Sequence, residues 1–86
     1  PLKLSGSQVA AEDAIKAVVK KYGLTDREAD VLELINMGKS NLQIAGELSI
    51  SENTVKRHVN SIFKKTETQG RHEIIFKISN VRKIDL

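Results

Sequence analysis

Residues 40–65 read SNLQIAGELSISENTVKRHVNSIFKK, and this stretch decides the fold. Ser40 is placed to cap a short helix over 41–48, on which Leu42, Ala45 and Leu48 recur at i, i+3 and i+6, with Ile44 widening the face. Ser49-Ile50-Ser51 then leaves only a three-residue connection. Ser51 caps a second helix over about 52–65. Two helices joined by so short a turn, with an apolar residue at its centre, form a helix-turn-helix. Gly46 lies inside the first of them. Because glycine there costs up to ~1 kcal/mol in helix propensity, a close helix contact is the expected reason for it.

The helix over 52–65 divides into two faces. Val55, Val59, Ile62 and Phe63 stand at i, i+4, i+7 and i+8 and point inward. Lys56, Asn60 and Lys64 form an outward row at i, i+4 and i+8, with Arg57 beside them. Lys, Arg and Asn are side chains that hydrogen-bond base edges, and a helix fits the major groove. Residues 51–65 carry Lys56, Arg57, Lys64 and Lys65 against Glu52 alone. A solvated basic face on an ordinary helix has the same composition.

Outward from this unit, the remaining segments also read as helices. Upstream, Thr25-Asp26-Arg27-Glu28 is a capping box, in which the Thr25 hydroxyl accepts the Glu28 amide and the Glu28 carboxylate reaches back. Leu24 staples its entry. The helix it starts runs to about 37, with Val31, Leu32 and Ile35 inward, and Gly38 ends it. Before Gly23, Ala11, Ile15, Val18 and Tyr22 have helical spacing over about 9–22, with Gln8, Glu12, Lys16 and Lys20 on another face. After Gly70 a fifth helix is expected over about 71–81, with Ile74, Ile75, Ile78 and Val81 as its buried stripe. Phe76 falls off that stripe, and residues 82–86 read as a frayed tail.

The whole chain is 86 residues, enough for one modest domain. Its aromatics are 3% of residues, so the core is aliphatic. There is no cysteine, which removes disulfides, thiolate zinc sites and thiol nucleophiles. Two histidines do not make a metal site, and no cofactor is expected. No apolar run approaches the ~20 residues of a bilayer span. Ser40, Ser49 and Ser51 read as caps with no base to activate them. Residues 23–50 carry two basic and five acidic side chains, and residues 51–86 eight basic and four acidic, within a total of +3. A polyanion is therefore drawn to the last third. Pro1 opens the chain, so a piece of something longer is the expectation.

The combination Leu24-Thr25-x-Arg27-Glu28, Val31-Leu32-x-Leu34-Ile35-x-x-Gly38-x-Ser40-Asn41, Ile44-Ala45-x-x-Leu48-x-Ile50-Ser51, Thr54-Val55-Lys56-x-His58 and Arg71-x-Glu73 closely resembles the LuxR-type helix-turn-helix domain. That domain is the DNA-binding end of many bacterial transcription regulators of the NarL and FixJ kind. The resemblance implies an all-α fold: a four-helix domain over 23–86, preceded by a linker helix over 1–22. The helix-turn-helix would occupy about 39–58 and the recognition helix about 52–65. It also implies that Lys56, Arg57 and Asn60 read bases, while Asn41, Thr54, His58, Lys64 and Lys65 contact phosphates. Implied partners are double-stranded DNA with an inverted-repeat site, RNA polymerase, and a second copy of the chain. The copies would pair weakly without DNA, through Ile75, Phe76 and Ile78 of the last helix. A bacterial cytoplasmic setting and control by an upstream domain follow from the same likeness. Thr66 and Thr68 stand where the family usually has Leu and Val, and Gln43 where it often has Glu.

Two other readings stay open on sequence alone. One is a helical promoter-recognising domain like the last region of a sigma factor. The other is a protein-interaction module that retains the fold. An enzyme is the weakest reading, because no nucleophile–base pair, metal set or phosphate loop is present.

Overall fold

Hydroxyl side chains start three helices in succession. Thr25 accepts the Glu28 amide at 3.1 Å and its own amide donates to Glu28 Oε1 at 2.9 Å, the expected capping box. Ser40 does the same with Gln43, at 3.2 and 2.9 Å, a second box that the sequence reading had only as a Ser cap. Ser51 Oγ accepts the Thr54 amide at 3.0 Å. Each arrangement satisfies helix-end donors that have no intrahelical partner.

The computed structural model describes residues 6–85, with side chains for residues 13–81. It contains five helices: α1 Gly6–Tyr22, α2 Asp26–Asn36, α3 Asn41–Leu48, α4 Glu52–Thr66 and α5 Arg71–Asp85. α5 runs on to Asp85, past the expected end at Val81 and through most of the tail read as frayed; Leu86 lies outside the described residues. The side chains of Gln8, Ala11 and Glu12 also lie outside them.

The first four helices end alike. A residue in the left-handed conformation follows each, and the next amide bonds back five residues. These bonds are Leu24 to Val19 (3.0 Å), Lys39 to Leu34 (3.1 Å), Ile50 to Ala45 (3.1 Å) and Thr68 to Phe63 (2.9 Å). The left-handed residues are Gly23 and Gly38, where glycine adopts positive φ freely, and also Ser49 (φ 56°) and Glu67 (φ 57°). Ser49 thereby makes the tight corner between α3 and α4.

The core is aliphatic. Val18, Val31, Leu32, Ile35, Ile44, Val55, Ile62 and Ile74 are fully buried, and Ile78 nearly so. α1 packs chiefly on α5, and α4 lies against both α2 and α3. Leu42 departs from expectation: it is 69% exposed. Ile44 and Leu48 set the inner side of α3, and Leu42 is two residues, about 200° of helix rotation, from Ile44. Gly46 also departs, for it is exposed and nothing beyond its chain neighbours and its own helix backbone lies within 4 Å of where its Cβ would be. Among the described residues, no helix contact accounts for it.

The two threonines in the α4–α5 link are buried. Thr66 donates to the Ile62 carbonyl at 2.7 Å, and the two hydroxyls lie 2.9 Å apart. The link is therefore closed by paired hydroxyls instead of aliphatic contact. Lys77 adds a bond to the Thr66 carbonyl at 2.8 Å, and its ammonium sits 5.1 Å from the Tyr22 ring centre, which joins α1, α4 and α5.

Candidate nucleic-acid interface

α4 is amphipathic because its apolar residues recur at helical spacing, and its packing follows that pattern. Val55, Val59 and Ile62 are buried and Phe63 is half-buried. Lys56, Arg57, Asn60 and Lys64 are all exposed. At 1.5 Å per residue, Lys56 and Lys64 stand about 12 Å apart along the axis, close to the width of the major groove. Among the described residues, Lys56, Arg57 and Lys64 form no ion pair, whereas Arg27 and Lys39 are paired with Asp30 and Glu47.

The other expected contact residues flank this row. Thr54 is half-buried in the first turn, its hydroxyl 2.9 Å from that of Ser51. His58 is half-buried on the side of the helix. Asn41 opens α3, and its side-chain oxygen accepts a hydrogen bond from the Arg71 guanidinium. Of the three α5 residues, Phe76 is 63% exposed and Ile75 half-buried, while Ile78 at 1% belongs to the chain's own core.

Lys65 points elsewhere. Its ammonium bonds Glu28 Oε1 at 2.8 Å, and Ser61 donates to Glu28 Oε2 at 2.6 Å. The capping carboxylate of α2 thus also holds α4. Burial opposes its ionisation, but hydrogen bonds from Lys65, Ser61 and the Thr25 amide, with the charge of Lys65, outweigh it and bring Glu28 from 4.5 down to about 2. The box follows from local spacing, but this clamp does not. Its members lie 33 and 37 residues apart, beyond any local pattern.

An open cleft of about 190 Å³ between α2 and α3 is lined by Asp30, Glu33, Leu34, Glu47 and Leu48. Its carboxylates repel phosphate, so the basic row of α4 is the surface suited to a polyanion. Among the described residues, no three of His, Cys, Asp and Glu cluster as a metal site, and no helix is long and apolar enough to cross a membrane.

Residues 22–78 match the family model described as bacterial regulatory proteins, luxR family. The chain is 37% identical over 73 residues to the transcriptional regulatory protein DesR of Bacillus subtilis, covering 84% of this chain and 37% of DesR. To an uncharacterised transcriptional regulatory protein of the same organism, YhcZ, it is 54% identical over 52 residues, 60% of this chain and 24% of that one. To the spore germination protein GerE, also of B. subtilis, it is 35% identical over 63 residues, 73% of this chain and 85% of GerE. The chain thus spans little more than a third of DesR and a quarter of YhcZ, but most of GerE. No significant match was found among solved structures. The family match takes the helix-turn-helix out of the sigma-like and enzyme readings. The chain belongs to the luxR family of bacterial regulatory proteins, and its helices α2 to α5 make up that family's sequence-specific DNA-binding domain, with α1 as one additional helix before it.

Proposed function

We propose that α4 enters the major groove, with Lys56, Arg57 and Asn60 on base edges and Asn41, Thr54, His58 and Lys64 on the flanking phosphates. The observation that carries this reading is the exposed row Lys56, Arg57, Asn60 and Lys64, whose three cations form no ion pair among the described residues. Base contacts choose the sequence, and phosphate contacts supply register and much of the affinity. Lys65, bound to Glu28, holds α4 on α2 in this reading.

Two copies bind an inverted repeat, one α4 per half-site, and pair through the exposed Phe76 and its neighbour Ile75 on α5. The domain serves as the output end of a larger bacterial regulator that acts on RNA polymerase in the cytoplasm. The partial coverage of DesR and YhcZ supports that larger frame. Selection of bound sites from random DNA tests the proposal. It should return an inverted repeat with half-sites about one helical turn apart. Recovery of unrelated sequences with no common half-site would refute it.

A further inference from the structure

Arg71 is buried in part at the start of α5 and reaches back across the domain to the start of α3. One guanidinium nitrogen donates to the Lys39 carbonyl at 2.9 Å, and another donates to Asn41 Oδ1. An asparagine amide has one acceptor oxygen and one donor nitrogen. With Oδ1 occupied by a cation, the donor half of Asn41 is the half left for another partner, and it lies at the first residue of α3, beside the turn that joins α2 to α3. Arginine suits this task because its planar fork makes both bonds in one fixed geometry, which a lysine ammonium does not.

We infer that Arg71 is a positioning residue for DNA binding: its guanidinium fixes the Asn41 amide with its N–H₂ turned outward as a phosphate donor. This rests on the proposed contact of Asn41 with phosphate. Arg71 acts through Asn41 and not as a phosphate ligand itself. The bond also ties the first residue of the proposed dimer helix to the first residue of α3. A change in α5 is thus felt where the phosphate is held.

The test is a double-mutant cycle of Arg71→Lys and Asn41→Ala, read as DNA affinity at several salt concentrations. Binding is measured at a temperature where melting curves show every variant folded. Arg71→Lys keeps the charge and loses the fork. It should weaken specific and random DNA alike by about tenfold, the worth of one modest phosphate hydrogen bond. Its salt slope should not change. In the Asn41→Ala background the same substitution should cost less than twofold. Additive losses overturn the inference, as does an undiminished affinity of Arg71→Lys. A salt slope shallower by about 0.9 in Arg71→Gln would also overturn it, because Arg71 would then neutralise a phosphate directly. If the unsubstituted domain does not bind DNA, the proposed function itself fails, which is a different result from any of these.

Discussion

The Lys65 ammonium of α4 lies 2.8 Å from the Glu28 carboxylate of α2, and the same carboxylate closes the capping box at Thr25. One side chain therefore sets both the start of α2 and the seat of the helix proposed to read DNA. Glu28 is 6% exposed in its side chain and Lys65 36%. The pair is partly screened, and the hydroxyl of Ser61 at 2.6 Å completes its coordination.

This clamp makes stability depend on pH in a known direction. Glu28 titrates at about 2 in the folded chain against an ordinary 4.5. A depressed carboxyl contributes stability that is full above its unfolded value and is lost as pH falls through the folded one. The contribution, on the order of 3 kcal/mol from a shift of that size, should fade between about pH 5 and pH 2. Urea melts of Glu28→Gln and the unsubstituted domain should differ by this amount at pH 7 and converge near pH 2. A gap that is constant with pH would show that ionisation of Glu28 is not its source.

The two adjacent lysines should behave differently. Lys65→Met should cost about 1–2 kcal/mol of folding stability, because it leaves a buried carboxylate without its cation. It should leave the salt dependence of DNA binding unchanged. Lys64→Ala should barely alter stability and should make the log–log salt slope shallower by about 0.9. Salt titrations of binding for both variants, each beside a thermal melt, decide the point. The reverse pattern would place Lys65 on phosphate.

Backbone conformation offers two stabilising changes. Gly46 sits in α3 with open space around it, so Gly46→Ala should add about 0.5–1 kcal/mol. Glu67 holds the left-handed position after α4 at φ 57°, where glycine carries no Cβ strain, so Glu67→Gly should add a similar amount. Denaturant midpoints at constant m-value measure both. A loss from Gly46→Ala would mean that the α3 surface is packed more closely than its open surroundings allow.

What the sequence made legible was local. The Thr25–Glu28 box, the Ser40 and Ser51 caps and the two faces of α4 all depend on residues three to eight apart, and all are present. All five helix positions followed from glycine or hydroxyl punctuation, although α1 starts at Gly6, ahead of the expected 9, and α5 runs on to Asp85. The left-handed turns at Ser49 and Glu67 were not legible, since neither residue advertises positive φ. Leu42 was misplaced because an i, i+3, i+6 count on an eight-residue helix overlooks where Ile44 points. The Glu28–Lys65 and Arg71–Asn41 bonds span 37 and 30 residues, and only the packing that sets α2 beside α4 and the start of α3 beside the start of α5 brings them together.

Dimerisation has its own test in Phe76, 63% exposed on α5 beside the half-buried Ile75. Two short helices crossing there bury well under the ~1,200 Å² of a stable interface. Pairing should therefore be weak in solution and reinforced on DNA, where each copy holds the other at high effective concentration. Phe76→Glu should abolish cooperative binding to a full inverted repeat and leave affinity for a half-site within about twofold. An equal loss on both sites would make Phe76 part of the fold and move the dimer surface elsewhere, with α1 the next candidate.

The central claim is that the outward row of α4 reads sequence, and Arg57 tests it most directly. The measurement is the affinity of Arg57→Ala for the selected site and for random DNA at one fixed salt concentration. If Arg57 bonds a base edge, the substitution costs about 1–3 kcal/mol on the selected site, and the ratio of specific to random affinity falls while choice relaxes at one base pair. An equal loss on both DNAs, with the ratio unchanged, would contradict the claim and leave Arg57 as one more phosphate contact.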